Sequence, residues 1–251
     1  MKYFIGTSGY SYNHWKGVFY PEDLPSYKWL EFYSKYFKVV ELNVTFYRLP
    51  KETTFKNWYR RTPEEFKFVL KGSRIITHLK KLKEIEEPLE LFFERVKGLK
   101  EKLKVVLWQF PPGFKADVKK LEKFCKLLKK KANNIFHAFE FRNKTWFSAN
   151  VYKLLKSYKM SPVIADWPFD LKLKKKSSNE IQVPLTADFI YIRRHGPGQL
   201  YSSSYSDKEL EELAQEIKDL PKRIKEVYVF FNNDAFGYAV KNALKLKTFL
   251  K

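Results

Sequence analysis

The stretch VVELNVTF (residues 39–46) alternates apolar and polar side chains from Val40 onward, and the fold class can be inferred from this alternation. Strict alternation in a run rich in β-branched residues is typical of a β-strand with one apolar face. The polar face holds Glu41, Asn43 and Thr45, and the apolar face holds Val40, Leu42, Val44 and Phe46. The first question is therefore whether the polar face points to solvent or to the inside of the protein.

Further strand-like runs occur along the chain, and amphipathic helical stretches separate most of them. The predicted strands are Tyr3–Thr7, Val39–Phe46, Lys67–Gly72, Val105–Phe110, Ala138–Arg142, Pro162–Asp166, Phe189–His195 and Val227–Asn232. The helical stretches include Leu89–Leu103, Asp117–Lys130 and Asp207–Leu220. Alternating strands and helices predict parallel strands with helices outside them. Eight such units in 251 residues predict an α/β fold, a (β/α)8 TIM barrel that forms a single domain over residues 1–251.

One unit of the predicted barrel is irregular. The segment Trp167–Asp188 follows the sixth strand, has proline near both ends, contains the basic run Leu171–Lys176 and shows no helical stripe. Long segments without regular structure in a compact domain are usually functional or disordered. The helix after strand six is therefore predicted to be replaced by a long basic loop.

A barrel answers the question of the polar face. If helices cover the outside, the apolar side chains of each strand meet them and the polar ones point into the lumen. The same alternation sends Glu140, Arg142, Arg193 and His195 inward, near the strand ends where such barrels hold active sites. Buried charges are costly unless they are paired. The alternative is a doubly wound or antiparallel sheet with a solvated polar face.

The charge balance concerns partners and location. The chain has 49 basic and 28 acidic residues, a formal charge of +21, which favours polyanions and makes nucleic acid a plausible partner. The alternative is a lysine-rich surface of the kind found in thermophilic proteins. The single cysteine excludes an intramolecular disulfide, and no apolar run is long enough to span a membrane, so a cytoplasmic location without membrane partners is predicted. The oligomeric state stays open.

Nine short motifs occur along the chain in a fixed order. They are GTSGYSYNHW (6–15), FYP (19–21), VELNVTFYR (40–48), KGSRIITH (71–78), QFPP (109–112), FEFRNKTW (139–146), AD (165–166), YIRRHG (191–196) and FNN (231–233). With these motifs the sequence resembles the YecE-like family (domain of unknown function 72), a TIM-barrel family of unassigned function, over essentially its whole length. Arg194 departs from the family pattern, because this position is usually apolar there. The resemblance implies the barrel fold and assigns no activity.

Polar residues collect at the predicted C-terminal rim and define the candidate site. The candidate catalytic residues are Glu41, Glu140, Asp166 and His195. The candidate ligand-binding residues are Asn43, Lys71, Gln109, Arg142, Arg193, Asn232, Trp146 and Tyr12. A divalent metal would find candidate ligands in His14, His78 and His195, since imidazole with carboxylates suits zinc or manganese. The cations Lys71, Arg142 and Arg193 would repel it, so a metal is not favoured and the cofactor stays unknown.

The same cations favour an anionic ligand. Arg142 and Arg193 can each grip a phosphate, and TIM barrels often bind phosphate between their last two strand–helix loops. A phosphate is therefore predicted at the corner formed by Arg193, His195 and Asn232, with Arg142 opposite. The alternative is that both arginines form structural salt bridges with Glu41 and Glu140.

Three functional hypotheses follow. The first is a nucleic-acid- or phosphate-ligand-binding barrel, with hydrolysis of phosphoester bonds in the manner of endonuclease-IV-type barrels as its enzymatic form. The second is a glycoside hydrolase-like enzyme that uses Glu41 and Glu140 as paired carboxylates. The third is a non-catalytic nucleic-acid-binding protein. The net charge favours the first and third, and whether the protein is an enzyme stays uncertain.

Overall fold

Eight parallel strands form a barrel in the computed structural model, which describes residues 1–173 and 181–251. The barrel strands are β1 (Lys2–Thr7), β2 (Val39–Leu42), β3 (Lys67–Lys71), β4 (Leu103–Phe110), β5 (Phe136–Phe141), β6 (Ser161–Ala165), β9 (Phe189–Arg194) and β10 (Glu226–Phe231), and the short strands β7 (Leu171–Lys172) and β8 (Ile181–Gln182) form a separate pair. The hydrogen-bonded order of the barrel is β1-β10-β9-β6-β5-β4-β3-β2, with β1 and β2 meeting at the last seam. The TIM-barrel prediction is confirmed.

Helices cover the outer face of the barrel. They are α1 (Trp29–Tyr36), α3 (Glu52–Arg60), α4 (Glu86–Val96), α5 (Val118–Lys131), α6 (Ala149–Ser157), α7 (Asp207–Lys218) and α8 (Tyr238–Phe249), whereas α2 (Val44–Tyr47) is a helical turn directly after β2. Short 3-10 turns lie at Asn13–Trp15, Ser26–Lys28, Lys97–Lys102, Lys144–Trp146 and Ala235–Gly237, and a π-helical turn lies at Ile75–Leu79. The stretch predicted as one helix over Leu89–Leu103 is α4 followed by the 3-10 turn. No helix of the described residues is long and apolar enough to cross a membrane.

The seam between β1 and β2 closes the barrel with few backbone contacts. Ser8 and Glu41 form a single parallel bridge, and Gly9 N–H donates to the Glu41 carbonyl oxygen at 2.7 Å. Below this bridge the hydroxyl of Tyr33, on α1, accepts from Thr7 N at 3.0 Å and lies 3.1 Å from the carbonyl oxygen of Val39, to which it donates. A side-chain hydroxyl thus joins the two strands where a ladder hydrogen bond would otherwise lie.

The seam also depends on a residue without a side chain. A Cβ atom at Gly6 would lie 2.4 Å from the Val39 carbonyl oxygen, which is closer than real Cβ atoms approach another atom. Only glycine therefore allows β1 and β2 to come this close at that level.

The lumen is apolar over most of its depth and charged at its C-terminal end. Its buried apolar residues are Val39, Val69, Val105, Leu107, Ala138, Val163, Ala165, Ala187, Phe189, Tyr191, Tyr228 and Phe230. The alternate residues Val40, Leu42, Phe139, Ile190 and Ile192 pack outward against the helices. The side chains of residues 40–42 therefore point in the predicted directions, with Glu41 inside the barrel and Val40 and Leu42 outside it.

The predicted second strand, Val39–Phe46, is too long. The strand ends at Leu42, and Val44–Tyr47 forms the helical turn α2, so the prediction that Val44 packs against the outer helices is wrong. Val44 is 43% exposed. Thr45 instead donates from Oγ1 to the Lys71 carbonyl oxygen at 2.6 Å, which holds the turn against the end of β3. This tertiary contact overrides the strand propensity of the sequence.

The segment after β6 contains no helix among its described residues. It forms a two-residue parallel ladder, β7 (Leu171–Lys172) with β8 (Ile181–Gln182). Lys174–Lys176 of the predicted basic run lie outside the described residues.

Candidate functional site

Two buried glutamates with an arginine between them form the centre of the site. Arg193 Nη2 lies 2.8 Å from Glu41 Oε1, and Arg193 Nη1 lies 2.6 Å from Glu140 Oε2. None of the three residues is more than 1% exposed. The prediction that both carboxylates point into the lumen within reach of an arginine is confirmed, and Arg193 forms the structural salt bridges of the alternative interpretation.

Neighbouring side chains complete the hydrogen bonding of both carboxylates. Ser8 Oγ donates to Glu41 Oε1, and the Tyr191 hydroxyl donates to Glu41 Oε2 at 2.6 Å. Glu140 Oε1 accepts from Gln109 Nε2 at 2.6 Å and from Arg142 Nε at 2.8 Å. Every oxygen of the two carboxylates is thus hydrogen-bonded, which is the condition under which buried charges are tolerated. We call this set, Glu41 and Glu140 with Ser8, Gln109, Arg142, Tyr191 and Arg193, the ion network.

The ion network keeps both glutamates charged. Burial alone would raise the pKa of the Glu41 carboxyl, but the charge of Arg193 and the hydrogen bond from Ser8 hold this pKa below its usual value. Burial alone would also raise the pKa of the Glu140 carboxyl. The charges of Arg193 and Arg142 outweigh burial and hold this pKa well below its usual value. A general acid must hold a proton at the working pH. Neither glutamate is suited to that role, so the geometry does not support the glycoside hydrolase hypothesis.

Asp166 holds His195 next to Arg193. Asp166 Oδ1 accepts from the His195 backbone N–H at 2.9 Å and lies 3.3 Å from His195 Nδ1, while Oδ2 accepts from the Tyr205 hydroxyl. His195 Nε2 lies 3.2 Å from Arg193 Nη1. Burial lowers the pKa of His195, which favours the neutral ring. Because the His195 side chain is fully buried, it positions Arg193 and does not reach a ligand, while Asp166 holds His195 in place.

Arg194 points away from the lumen, as the alternation predicts. Its Nη1 lies 3.9 Å from Asp166 Oδ2. Both side chains line a second pocket of about 410 Å³, which lies against α7.

A pocket of about 530 Å³ lies above the ion network at the C-terminal end of the barrel. It is lined by Asn43, Phe46, Tyr47, Lys71, Arg74, His78, Gln109, Arg142, Arg193, Tyr201, Asn232 and Asp234. Six of the eight predicted ligand-binding residues are among them: Asn43, Lys71, Gln109, Arg142, Arg193 and Asn232. A cavity of this size is within the range of small-molecule sites.

Lys71 is the most unusual residue of this pocket. It is 7% exposed, and its Nζ lies 4.1 Å from the centroid of the Phe46 ring. Among the described residues, Nζ makes no hydrogen bond and no ion pair. Burial, followed by the charge of Arg193, lowers the pKa of the Lys71 amine to about 8. A buried amine without a partner carboxylate is costly, and residues of this kind cluster at functional sites.

The unpaired positive charge of the pocket lies at the end of β3, away from the corner predicted for a phosphate. At that corner both terminal nitrogens of Arg193 are engaged by glutamates, and the Asp234 carboxylate also lines the pocket. Lys71 and Arg74 form no ion pair with any described residue. Residues 232–237, which include Asp234, form that corner and lead into α8 through a 3-10 turn. The Asp234 carboxylate accepts a hydrogen bond from Trp15 Nε1 at 2.8 Å.

The three candidate metal-ligating histidines have separate partners. His14 Nε2 lies 3.1 Å from Asp234 Oδ2, and His78 Nδ1 lies 2.9 Å from Thr77 Oγ1. His195 is held by Asp166, as described above. Burial, followed by the charge of Lys71, lowers the pKa of His78 to about 4, so the ring facing the pocket is neutral at physiological pH. In the part of the chain that the structure describes, no group of three or more His, Cys, Asp or Glu side chains is arranged to hold a metal ion.

The two aromatic ligand candidates take different positions. Trp146 is fully buried, stacks on Phe141 with ring centroids 5.0 Å apart and donates from Nε1 to the Phe114 carbonyl oxygen at 2.6 Å. It is therefore a residue of the hydrophobic core and not a ligand contact. Tyr12 donates to the Ser8 carbonyl oxygen at 2.6 Å and lines a smaller apolar pocket beside Asn43.

Comparison with known proteins places the chain in a family. The profile described as "Protein of unknown function DUF72" matches residues 4–251. This chain belongs to the DUF72 family. The family resemblance inferred from the nine motifs is thereby confirmed.

This DUF72 chain is similar to several bacterial proteins. The UPF0759 protein YunF of Bacillus subtilis is 27% identical over 275 residues, covering 97% of this chain and 93% of YunF. A DUF72 protein from Thermotoga maritima with a crystal structure is 33% identical, with a TM-score of 0.83 over 100% of this chain and 99% of its own. D-Psicose 3-epimerase from Clostridium cellulolyticum has a TM-score of 0.58 at 10% identity, over 100% of this chain and 98% of its own, which shows the fold alone.

Several residues of this DUF72 site were not predicted from the sequence. Ser8 and Tyr191 bond Glu41, and Phe46, Arg74 and Asp234 line the pocket. Tyr191 shares the inward alternation of Arg193 and could have been found from that pattern. Arg74 carried no comparable signal, because it lies on a turn after β3 whose geometry the sequence pattern does not define.

Proposed function

We propose that the pocket at the C-terminal end of the barrel binds a small ligand that bears a phosphate group. The observation that supports this most directly is Lys71, a nearly buried amine that faces the pocket without an anionic partner among the described residues. An anionic ligand would supply the missing partner and offset the cost of burying the charge. Arg74, also unpaired and on the following turn, would contribute a second contact.

The ion network acts as the rigid floor of this pocket. Arg142 and Arg193 each hold a glutamate through a short ion pair, and Gln109 bonds one of the same carboxylates. Donors that are fixed in this way present their remaining N–H groups without further ordering when a ligand arrives. The two glutamates keep the arginines in place, and binding is therefore better supported than phosphoester hydrolysis by these carboxylates.

Isothermal titration with inorganic phosphate, at constant ionic strength, tests this function. We expect Lys71→Met and Arg74→Met each to weaken phosphate binding about tenfold or more, since each removes a charge-assisted contact. Lys35→Met is the matched control, because Lys35 is exposed on α1 and is not among the residues that line the pocket. Equal affinity in all four proteins would contradict the proposal.

A second candidate is binding of single-stranded nucleic acid, as expected from the charge of +21. Its specific support is a set of exposed aromatic rings on α2 and on turns at this end of the barrel: Tyr47 and Phe236, each 69% exposed, and Tyr201, 38% exposed. Exposed rings beside a basic groove are suited to stack on bases. Anisotropy of a labelled oligonucleotide should show affinity that falls by several units of log K per unit of log salt concentration. Loss of binding in a Tyr47→Ala, Tyr201→Ala variant would support stacking, and no binding at low salt would refute this candidate.

We place this activity in the cytoplasm as part of the same proposal. The one cysteine, Cys125, is buried and unpaired on α5, and burial raises the pKa of its thiol to about 12, so it is an inert core residue that suits a reducing compartment.

A further inference from the structure

We propose that Lys71 is a nucleophile that forms an imine with an aldehyde or ketone group of the ligand. This inference rests on the proposed function, because the phosphate of the ligand would place its carbonyl group next to Lys71. It adds a covalent step and a chemical class of ligand, a small phosphorylated carbonyl compound.

The position of Lys71 suits a nucleophile in addition to a contact with the anionic ligand. An exposed lysine is a strongly hydrated point charge, whereas the pKa of a buried lysine shifts readily. Lys71 lies instead at the end of β3, 7% exposed and with Nζ over the Phe46 ring. Amines are activated for attack on carbonyl groups by an apolar pocket and by a neighbouring cation. Phe46 supplies the first condition and Arg193 the second.

The groups around Lys71 act on its charge from several elements. Glu41 on β2 and Glu140 on β5 favour the ammonium form, whereas Arg142 and Arg193 disfavour it. Both carboxylates are already paired with arginine, so their attraction for Lys71 is offset. The His78 ring packs against Phe46 with centroids 4.8 Å apart and, with its low pKa, adds no positive charge. The balance leaves a large share of Lys71 unprotonated near pH 8.

Imine formation needs no reagent other than the Lys71 amine and the carbonyl compound. The neutral amine of Lys71 attacks the carbonyl carbon, a C–N bond forms, and the π electrons of the C=O bond move to oxygen. A proton moves from nitrogen to that oxygen and gives a carbinolamine. Loss of water then breaks the C–O bond and leaves the imine, which returns the amine and the carbonyl compound on hydrolysis.

Reductive trapping tests the inference on the whole chain. The protein is incubated at pH 8 with D-glyceraldehyde 3-phosphate and sodium cyanoborohydride, whose hydride converts an imine to a stable secondary amine. Peptide mass spectrometry then locates the adduct. We expect labelling of Lys71 about tenfold or more above that of any exposed lysine, because its pKa of about 8 leaves a much larger neutral fraction at this pH than the ordinary lysine pKa of about 10.4 does. Glycerol 3-phosphate, which lacks the carbonyl group, should compete with the labelling.

Two variants make the result specific. Lys71→Arg keeps the positive charge but cannot form an imine, so the dominant adduct should vanish. Lys35→Met should keep the adduct at Lys71. Labelling spread evenly over exposed lysines, or none at Lys71 while phosphate still binds, would overturn the inference and leave the proposed function standing. Equally fast labelling of Lys71 by propanal, which has no phosphate, together with no measurable phosphate binding, would support the nucleophile and refute the phosphate site.

Discussion

The amine nitrogen of Lys71 lies 4.1 Å from the centroid of the Phe46 ring. A desolvated cation–π contact of this kind contributes about 2 kcal/mol, which is less than the cost of removing an ammonium group from water. The burial that lowers the pKa of Lys71 to about 8 therefore destabilises the folded protein while the amine is protonated.

Replacing Lys71 by methionine should raise the free energy of unfolding at pH 7. The pKa of Lys71 is about 8 in the folded chain against 10.5 as the ordinary value. The unfolded chain thus binds the proton more tightly, and the penalty is complete below pH 8 and disappears as the pH rises toward 10.5. We expect a gain of roughly 2–3 kcal/mol at pH 7, which shrinks above pH 8. Urea denaturation at pH 7 and pH 9.5 measures both values.

Lys35→Met serves as the reference for that experiment, because it removes the same charge from the exposed face of α1. A Lys71→Met protein no more stable than Lys35→Met at pH 7 would mean that Lys71 is not under strain in the folded state.

Replacing Arg193 by methionine should destabilise the fold strongly. Both of its terminal nitrogens pair with buried glutamates, so the change leaves two carboxylates without their shared cation. Breaking a buried pair in this way costs about 3–5 kcal/mol. Chemical denaturation measures the loss, and Arg74→Met, an exposed arginine of the same pocket, should change stability by less than about 1 kcal/mol. Similar stability of the two variants would show that the salt bridges of Arg193 do not support the fold.

Acid should unfold the protein through the ion network. The pKa of Glu140 is well below its ordinary value of 4.5 in the folded chain, so its contribution is complete above 4.5 and is lost as the pH falls through the lower folded value. Glu140→Gln should be less stable than wild type at pH 7. Its free energy of unfolding should also fall less than that of wild type between pH 5 and about pH 3. Glu87→Gln, at an exposed position on α4, should leave the acid profile unchanged. Parallel acid profiles for wild type and Glu140→Gln would be inconsistent with this role.

Removing the Tyr33 hydroxyl should weaken the seam between β1 and β2. Tyr33→Phe leaves the buried Thr7 N–H without its acceptor, which costs about 1–3 kcal/mol. Tyr36→Phe, on the exposed face of the same helix, is the control and should have little effect. Amide exchange of Thr7 in the native state should accelerate in Tyr33→Phe alone. Unchanged exchange would show that the hydroxyl does not hold the seam.

Alternation predicted the barrel and the inward glutamates because it depends on one physical fact, that parallel strands bury their apolar side chains under helices. Glu41, Glu140 and Arg193 all follow from it. The end of β2 did not follow, because VELNVTF continues the same alternation through residues that form a helical turn. The contact from Thr45 to the Lys71 carbonyl oxygen decides that turn, and it joins positions 26 residues apart in the sequence.

The contacts within the site could not be predicted from the sequence alone. The sequence places Arg193 and both glutamates in the lumen but does not say whether the arginine faces the carboxylates or a ligand. Trp146 looked like a rim aromatic, yet it turns back into the core because Phe110, Phe114 and Phe141 surround it there. Lys71 was selected only as one rim cation among several, since its burial and lack of a partner depend on how Phe46 and Arg193 lie around it.

Because Arg142 and Arg193 are paired with glutamates, long-range attraction of anions and their retention in the pocket depend on different positive charges. The pocket and the ion network together contain four cationic side chains (Lys71, Arg74, Arg142 and Arg193) and three acidic ones (Glu41, Glu140 and Asp234). They therefore account for about one of the 21 excess charges of the chain. Attraction of an anion from a distance depends on the remaining charge, whereas its residence in the pocket depends on Lys71 and Arg74. The association rate should accordingly fall steeply with ionic strength while the dissociation rate changes little. Many anions would collide with this protein often, and only those with the right short-range contacts would stay.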